Sequence, residues 1–322
     1  MRAAVCHSYG PPEDLVIEDV DDPVPAPGQM LVRVHVAAVN FPDVLFIAGK
    51  YQVKIPPPFI PGNEVAGEVI AAGEGAPFGP GQRVAGTTFG AFAEQALLDR
   101  SQAMPIPDDA DFASAAAFGV TYRTAYYALR STAAVAEGDW VVVLGAAGGV
   151  GLAAVDLAVA MKARVLAAAS SPEKLDLCRQ RGAEAIVDYD REDLKTRIRE
   201  LTGDSARVVL DPVGGQYAEP ALRGLARGGT FVTLGYAAGT IPKIPLNLVM
   251  LKDLRVRGME IRTFASDYPD EAVRDDEELA RLFAEGTVRP YIGARFPLTE
   301  TPAALRYVAD RKVLGKVVID VD

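Results

Sequence analysis

The sequence predicts an α/β protein of two domains, a β-rich first part followed by a parallel sheet covered by helices. From Trp140 onward, short apolar strands alternate with helix-forming segments, the pattern of a sheet buried on both faces. Before about residue 101, short apolar runs are separated by Gly and Pro, which indicates a barrel-like fold. The chain has 322 residues, long for a single core.

The first part shows strand and turn signals in order. Residues 31–36 alternate apolar and polar side chains with period two, as a half-buried strand does. Further strands are expected at 64–70, near Val84 and near Phe92, each next to Gly or Pro turns. The composition of the sequence then changes, and Ala-rich stretches predict helices at 111–118 and 121–130.

The second part predicts a regular succession of strands and helices. Apolar β-branched runs predict strands, and Pro172 fits the first turn of one of the helices. The expected strands are 140–144, 164–169, 186–188, 207–211, 230–234 and, at the end, 316–321. The expected helices are 152–158, 172–181, 192–202, 217–226 and 275–285.

The strand at 140–144 runs into a turn of small residues, Gly145-Ala-Ala-Gly-Gly-Val-Gly151, and then into a helix. In the dinucleotide fingerprint, glycines allow a sharp turn, close approach to a pyrophosphate and tight helix packing. In that register Ala146 replaces the first glycine, and Gly148 and Gly151 follow. The alternative is a structural turn that binds nothing. We favour a cofactor site, because the flanking strand and helix are both recognisable and a helix N-terminus attracts phosphate.

The bulk composition excludes several classes of function. The net charge is −10 and the pI about 4.9, which argues against general binding to nucleic acid or anionic membranes but not against a local phosphate pocket. Two cysteines cannot form a disulfide framework, and no apolar run resembles a signal peptide or membrane span. We therefore expect a cytoplasmic protein without nucleic-acid or membrane partners.

Several motifs along the whole chain carry a family resemblance. They are Asn40-Phe-Pro-Asp43, residues 61–67, 145–151, 211–215, 247–258 and 315–318. Together they resemble the medium-chain dehydrogenase/reductase superfamily, specifically its zinc-free quinone oxidoreductase (ζ-crystallin-like) branch. The resemblance implies a GroES-like catalytic domain at 1–121, a Rossmann domain at 122–260 and a return to the catalytic domain at 261–322. It also implies an active cleft between the domains, and a homodimer joined through strands of the nucleotide domain.

A metal is not expected. Zinc needs about four N, S or O ligands in tetrahedral array, whereas the chain has two His and two Cys, which are scattered. Zinc-containing relatives carry a Cys at the position of Asn40 and a His at that of Asn63, and the cysteine-rich lobe for structural zinc is absent here. His7 and His35 are interpreted as structural.

The residues after the second strand of the alternating part predict the cofactor. An NAD site usually has an Asp or Glu about 20 residues beyond the glycine turn, but here Ser170, Ser171 and Lys174 follow the strand. Hydroxyls and a cation suit a 2′-phosphate, and the resemblance places NADPH-selecting contacts at Ser170, Lys174 and Tyr189. Alternatively, the serines cap the next helix and Lys174 is solvated, or Lys174 pairs with Glu173.

The resemblance supplies the remaining site residues. Further NADPH contacts are expected at Thr121, Ala147, Gly148, Gly149, Val150, Gly235 and Asn247. Asn40, Asp43 and Tyr51 are expected to line the acceptor pocket. Tyr51 is the favoured donor to the acceptor oxygen, because a phenol both hydrogen-bonds and supplies a proton; the alternative is a turn tyrosine.

These features predict an NADPH-dependent, zinc-independent oxidoreductase that transfers a hydride to a quinone or related conjugated carbonyl. A reductase of enals, enones or enoyl thioesters is the second hypothesis, with Arg255, Arg257 and Arg262 available for a coenzyme A phosphate. A third is a non-catalytic NADPH-binding protein, crystallin-like or RNA-binding. The acidic pI weighs against RNA binding, and the set of acceptor-pocket residues weighs against a purely structural role.

Overall fold

A computed structural model describes residues 1–321 and divides the chain into two compact units. The first unit contains Met1–Val120 and the segment from Pro290 onward, and the second contains Thr121–Arg289. In chain order the strands are β1 (Arg2–Val5), β2 (Val16–Asp19), β3 (Gln29–Val39), β4 (Glu64–Ala72), β5 (Arg83–Thr87), β6 (Gln95–Asp99), β7 (Ala103–Pro105), β8 (Trp140–Leu144), β9 (Arg164–Ala169), β10 (Ala185–Asp188), β11 (Ala206–Asp211), β12 (Thr230–Thr233), β13 (Arg255–Gly258), β14 (Ile292–Pro297) and β15 (Lys316–Asp320). The helices are α1 (Phe41–Ile47), α2 (Phe112–Ala116), α3 (Gly119–Tyr127), α4 (Gly149–Ala160), α5 (Pro172–Gln180), α6 (Leu194–Thr202), α7 (Ala218–Gly224), α8 (Leu246–Lys252), α9 (Ile261–Asp267), α10 (Pro269–Ala284) and α11 (Thr301–Ala309).

The first unit is built on a seven-stranded sheet with the order β14-β15-β3-β4-β5-β7, in which β6 also pairs with β3. Only β14 and β15 run parallel to each other; the other pairs are antiparallel. The period-two pattern predicted for residues 31–36 is confirmed, since Val32 and Val34 are buried and Arg33 between them is exposed. Strand β15 joins this sheet by pairing with β3, which brings the end of the chain beside residues 36–39.

The second unit is a six-stranded parallel sheet with the order β10-β9-β8-β11-β12-β13. Counted from β8, this is the order 3-2-1-4-5-6 of the Rossmann fold, in which ligands bind beyond the carboxyl ends of the strands where the order reverses. All residues of β8 are buried, as a central strand covered on both faces requires. The predicted fold class, a GroES-like unit with a Rossmann sheet, is confirmed.

The second unit extends to Arg289, whereas the sequence placed the return to the first domain at residue 261. The reason is the packing of α10, which is tied to α3 inside the second unit. Arg123 donates to both carboxylate oxygens of Asp276, at 2.9 and 2.8 Å, and the Tyr127 hydroxyl donates to the same group at 2.6 Å. The domain boundaries at 121 and 260 stay a prediction.

Candidate active site

The turn between β8 and α4 takes its shape from two glycines. Gly145 has a φ of +57°, which favours glycine over any residue with a Cβ. A Cβ on Gly151 would lie 2.2 Å from the Gly145 carbonyl oxygen, so the helix packs against the turn at a distance only glycine permits. The residue that needs conformational freedom is therefore Gly145, next to the Ala146 that occupies the first position of the fingerprint.

The N-terminus of α4 offers its backbone to an anion. Gly148 is the N-cap and has no side chain to satisfy the first N–H groups, and the first turn holds no acidic residue. The turn is held by two hydrogen bonds, from Ala146 N to Ala168 O at 3.1 Å and from Gly148 N to Gly145 O at 2.9 Å. Gly149 and Val150 begin α4, where helix N–H groups and the macrodipole favour phosphate, and Ala147 and Gly148 directly precede them. The cofactor contacts of these four residues stay a prediction.

Ser170 and Lys174 lie together at the carboxyl end of β9. The Lys174 ammonium donates to the Ser170 hydroxyl at 3.2 Å, while the Ser171 hydroxyl accepts from the Lys174 backbone N–H at 3.4 Å and caps α5. Tyr189 N donates to Ala169 O at 3.2 Å, which places Tyr189 beside the end of the same strand. One serine therefore caps the helix, as the alternative interpretation had it, and the other contacts the lysine.

The other predicted cofactor residues occupy varied positions in the second unit. Thr121 is buried in α3, Gly235 lies just after β12, and Asn247 is exposed in the first turn of α8. The roles of these residues stay predictions.

Sequence reasoning missed two polar groups at the carboxyl edge of the parallel sheet. Asp211 ends β11 and lies opposite Thr233 of β12. One Asp211 oxygen accepts from Val213 N at 2.8 Å and Gly214 N at 2.7 Å. The other oxygen, and the Thr233 hydroxyl, are buried without a hydrogen bond to any residue in 1–321. Burial raises the pKa of Asp211. A carboxylate directly after the apolar residues Val208, Val209 and Leu210 was the available signal.

In the first unit, four side chains form a cluster that we call the buried polar cluster: Asn40, Glu64 and Lys316, which are buried, and Asn63, which is half-buried. The Lys316 ammonium lies 2.6 Å from Asn40 Oδ1 and 3.0 Å from Glu64 Oε2. Asn40 Nδ2 donates to Glu64 Oε2 at 2.7 Å and to Asn63 Oδ1 at 2.9 Å. Glu64 Oε1 accepts from Val120 N at 2.6 Å. Lys316 and Glu64 are almost completely buried, so the ion pair is shielded from solvent.

Strand register brings this cluster together. Ala38 of β3 pairs with Glu64, the first residue of β4, and Val39 pairs with Val317 of β15. The end of β3 therefore lies beside the starts of β4 and β15, and this brings the side chains of the cluster together although they are far apart in sequence.

Asp43 lies beside the cluster in the first turn of α1. Its Oδ2 accepts from Asn40 N at 2.7 Å, as part of a capping box around the Asn40 N-cap. Its Oδ1 is buried and accepts no hydrogen bond from the described residues. Burial, opposed by that hydrogen bond and by the Lys316 charge, raises the pKa of Asp43 to about 7. Asn40 and Asp43 are thus in contact, while their place in an acceptor pocket and their catalytic roles stay a prediction.

Tyr51 lies in the loop that follows α1 and is half-buried. Its ring packs on Phe46, with 4.4 Å between ring centroids, and Phe46 also contacts the exposed Phe89 at 5.5 Å. An aromatic surface therefore adjoins Tyr51, while the role of its hydroxyl stays a prediction.

The two histidines have contacts of their own. His7 lies 3.0 Å from Glu18 at the surface, and the His35 ring stacks on Phe112 at 4.4 Å. Within residues 1–321, no three His, Cys, Asp or Glu side chains are grouped so as to hold a metal ion. The same residues contain no helix long and apolar enough to cross a membrane.

Comparison with known proteins shows the family. Residues 26–108 match the alcohol dehydrogenase GroES-like domain, and residues 149–275 match the family described as zinc-binding dehydrogenase. The chain is 36% identical to a quinone oxidoreductase-like protein 2 homolog of Nematostella vectensis over 99% of its length and 88% of that protein. It is 35% identical to a quinone oxidoreductase of Pseudomonas aeruginosa, covering 97% of each chain.

A solved structure of similar sequence gives the same result. The quinone oxidoreductase of Thermus thermophilus, solved alone and with NADPH, superposes over the whole of both chains with a TM-score of 0.85 and 34% identity. The chain therefore belongs to the medium-chain dehydrogenase/reductase superfamily of oxidoreductases and, within it, to the quinone oxidoreductase branch.

Asp43→Asn should change how stability depends on pH. Because the folded-state pKa is raised from 3.8 to about 7, the native protein binds a proton between about pH 4 and pH 7 that the unfolded chain releases. The free energy of unfolding should therefore fall as pH rises through this window, by at most about 1.4 kcal/mol per pH unit for one proton. The variant should lose this slope in urea unfolding curves recorded from pH 4.5 to 8. Asp108→Asn, at the surface, is the control; an unchanged slope in Asp43→Asn would contradict the assignment.

Proposed function

We propose that this protein is a zinc-independent, NADPH-dependent oxidoreductase that reduces a quinone or a related conjugated carbonyl. The observation that carries the proposal is the Ser170–Lys174 contact at the carboxyl end of β9, where a hydroxyl and an ammonium replace the usual NAD-selecting carboxylate. The Thermus relative solved with NADPH supports the choice of cofactor.

The second unit fits the cofactor. The helix N-terminus at Gly148–Val150 suits the pyrophosphate, and Ser170, Lys174 and Tyr189 suit a 2′-phosphate. The unsatisfied oxygens of Asp211 and Thr233 mark a polar edge that a bound group can complete. We assign the nicotinamide end to Thr121, Gly235 and Asn247. NADPH, when bound, supplies a hydride.

The first unit supplies the acceptor side. A conjugated carbonyl that gains a hydride at carbon develops negative charge on its oxygen, and a proton then completes the two-electron reduction. Residues that line this pocket must therefore hold the acceptor, exclude water and offer hydrogen-bond donors to that oxygen. We assign this lining to Asn40, Asp43 and Tyr51. Of these three, the Tyr51 phenol is the donor to the oxygen and supplies the proton, because the Asn40 amide hydrogens are already bonded to Asn63 and Glu64.

The donor set at the position of the zinc ligands in zinc-containing relatives does not fit zinc. Two amides and one carboxylate meet there, and the Lys316 ammonium already contacts the Asn40 and Glu64 oxygens. Zinc prefers thiolate, imidazole and carboxylate ligands, and an ammonium at this distance would repel a cation. This arrangement supports zinc independence.

The enoyl-thioester alternative gains no specific support. Arg257 donates to Thr132 O at 2.9 Å, and Arg262 pairs with Glu260 at 2.7 Å, so two of the three arginines proposed for a coenzyme A phosphate already have partners in the protein. This reductase activity and the non-catalytic hypothesis are therefore treated as outcomes of the test.

The test is steady-state NADPH oxidation with 1,4-benzoquinone, 9,10-phenanthrenequinone, 2-hexenal and crotonyl-CoA. We expect turnover with the quinones at the highest kcat/KM. Preference for crotonyl-CoA would favour the enoyl-thioester reductase, and tight NADPH binding without turnover of any acceptor would favour the non-catalytic protein.

Lys174→Ala should weaken NADPH binding by about 10-fold or more, because a charge-assisted hydrogen bond is worth about 1.5–3 kcal/mol. NADH lacks the 2′-phosphate, so its affinity should change little. Fluorescence titration of both dinucleotides measures this, with the exposed Lys312→Ala as control. Equal losses for NADPH and NADH would remove Lys174 from the selectivity argument.

We also propose that the protein is a homodimer joined through β13. This strand lies at the open edge of the parallel sheet, and its four residues are all exposed. Leu246 and Met250 of the adjacent α8 are 78% and 73% exposed. An unpaired strand edge beside exposed apolar side chains is typical of a surface that pairs with a second copy.

A cytoplasmic location stays a prediction.

Met250→Asp should shift the protein from dimer to monomer, because a carboxylate would have to be buried at the interface. Size-exclusion chromatography with light scattering measures the mass. Val24→Asp is a matched control, since Val24 is 83% exposed in the first unit. A monomeric parent protein would refute the proposal.

A further inference from the structure

The hydrogen bonds of the buried polar cluster fix the orientation of two side-chain amides. An ammonium has donors only, so the Asn40 atom that lies 2.6 Å from Lys316 must be its oxygen. Asn40 Nδ2 then points at two acceptors, Glu64 Oε2 and Asn63 Oδ1. If Asn40 were flipped, its nitrogen would face the ammonium and its oxygen would face a carboxylate, so the alternative is disfavoured at every contact.

In this arrangement, all the polar groups of the Asn40 side chain have hydrogen-bond partners. Both of its amide hydrogens and its oxygen already serve partners inside the protein, so it has no N–H left for a substrate. Asn63, however, uses its oxygen, which accepts from Asn40 Nδ2, and within residues 1–321 its Nδ2 donates no side-chain hydrogen bond. The Asn63 backbone is held by Thr88 N, which donates to Asn63 O at 3.1 Å, and the side chain is half-buried.

We propose that Asn63 Nδ2 is a second hydrogen-bond donor to the carbonyl oxygen of the acceptor, beside the Tyr51 phenol, and that Lys316 and Asn40 are positioning residues that orient it. The order of donation runs from Lys316 to Asn40 to Asn63, and each bond polarises the next. This inference rests on the proposed function, since it names the group that meets the charge developing on the acceptor oxygen. The hydrogen bond itself transfers no proton.

The physical advantage is preorganisation. An amide that is free to rotate would offer its oxygen as readily as its nitrogen, and an oxygen would repel the developing negative charge. Because the Asn63 oxygen is held by Asn40, the nitrogen is presented before the acceptor arrives, and no reorganisation is needed during the reaction.

Three variants at Asn63 test the donor role. Asn63→Ala removes the donor and should lower kcat for the preferred acceptor about 10- to 100-fold, less than a fully buried oxyanion donor because Asn63 is half-buried. Asn63→Asp keeps the shape but offers only acceptors, so it should be at least as slow as Asn63→Ala. Asn63→Ser offers a hydroxyl donor and should recover part of the loss. The NADPH dissociation constant should stay at the parental value in all three, and Gln82→Ala, at the surface, is the control.

A thermodynamic cycle tests the positioning role of Lys316, with the pair Lys316→Met and Glu64→Gln as one change and Asn63→Ala as the other. Lys316→Met alone leaves Glu64 buried without a counter-ion, so it is combined with Glu64→Gln to remove both charges. In that background Asn63→Ala should lower kcat by a much smaller factor than in the parent protein, because the donor is no longer oriented. A merely structural role for Lys316 would instead give the same factor in both backgrounds.

The two proposals fail in different ways. A parent protein that turns over no acceptor would overturn the proposed function. A parent protein that is active, with Asn63→Ala and Asn63→Asp at the parental kcat, would overturn the role of Asn63 alone.

Discussion

The first unit depends on one buried charge, the ammonium of Lys316. Taking an ammonium and a carboxylate out of water costs several kcal/mol per ion, and this is offset only when both partners and their hydrogen bonds are in place. Here Glu64 supplies the counter-charge and Asn40 supplies the remaining acceptor. The cluster therefore links the ends of three strands, and its hydrogen bonds restrict how these ends can be arranged. Removing either ion would leave the other one buried and unpaired.

The second unit differs from this cluster, because some of its buried polar atoms have no hydrogen-bond partner within residues 1–321. Its sheet is closed by apolar side chains on both faces, yet at the carboxyl edge it leaves polar groups unsatisfied, namely an Asp211 oxygen and the Thr233 hydroxyl. Buried polar atoms without partners are destabilising unless something completes them. The start of α4 likewise has no side chain that caps its first backbone N–H groups. The carboxyl edge of this sheet thus presents polar atoms that a bound group can complete.

Local patterns allowed much of this to be predicted from sequence. The bounds of β8 and β9 matched the predicted ones, because buried central strands appear as continuous apolar runs. Helix α1 was missed, although its capping box and early proline were visible in Asn40-Phe-Pro-Asp43. The exposed strand β13 has no apolar run to reveal it. The contact between Lys316 and Asn40 spans 276 residues of sequence, so only the pairing of β15 with β3 could reveal it.

The buried cluster also bears on the kind of acceptor that suits this site. A metal ion would bind the acceptor oxygen directly and polarise it strongly. The Lys316 charge is already paired with Glu64 and Asn40, and in the arrangement that we propose it acts on the acceptor only through oriented amides. Stabilisation by a hydrogen bond is weaker than a direct bond to a divalent cation. An acceptor whose conjugation already spreads the incoming negative charge needs less help than an isolated carbonyl. Under the proposed function, a site organised around an ammonium rather than a metal would therefore suit quinones and other conjugated carbonyls.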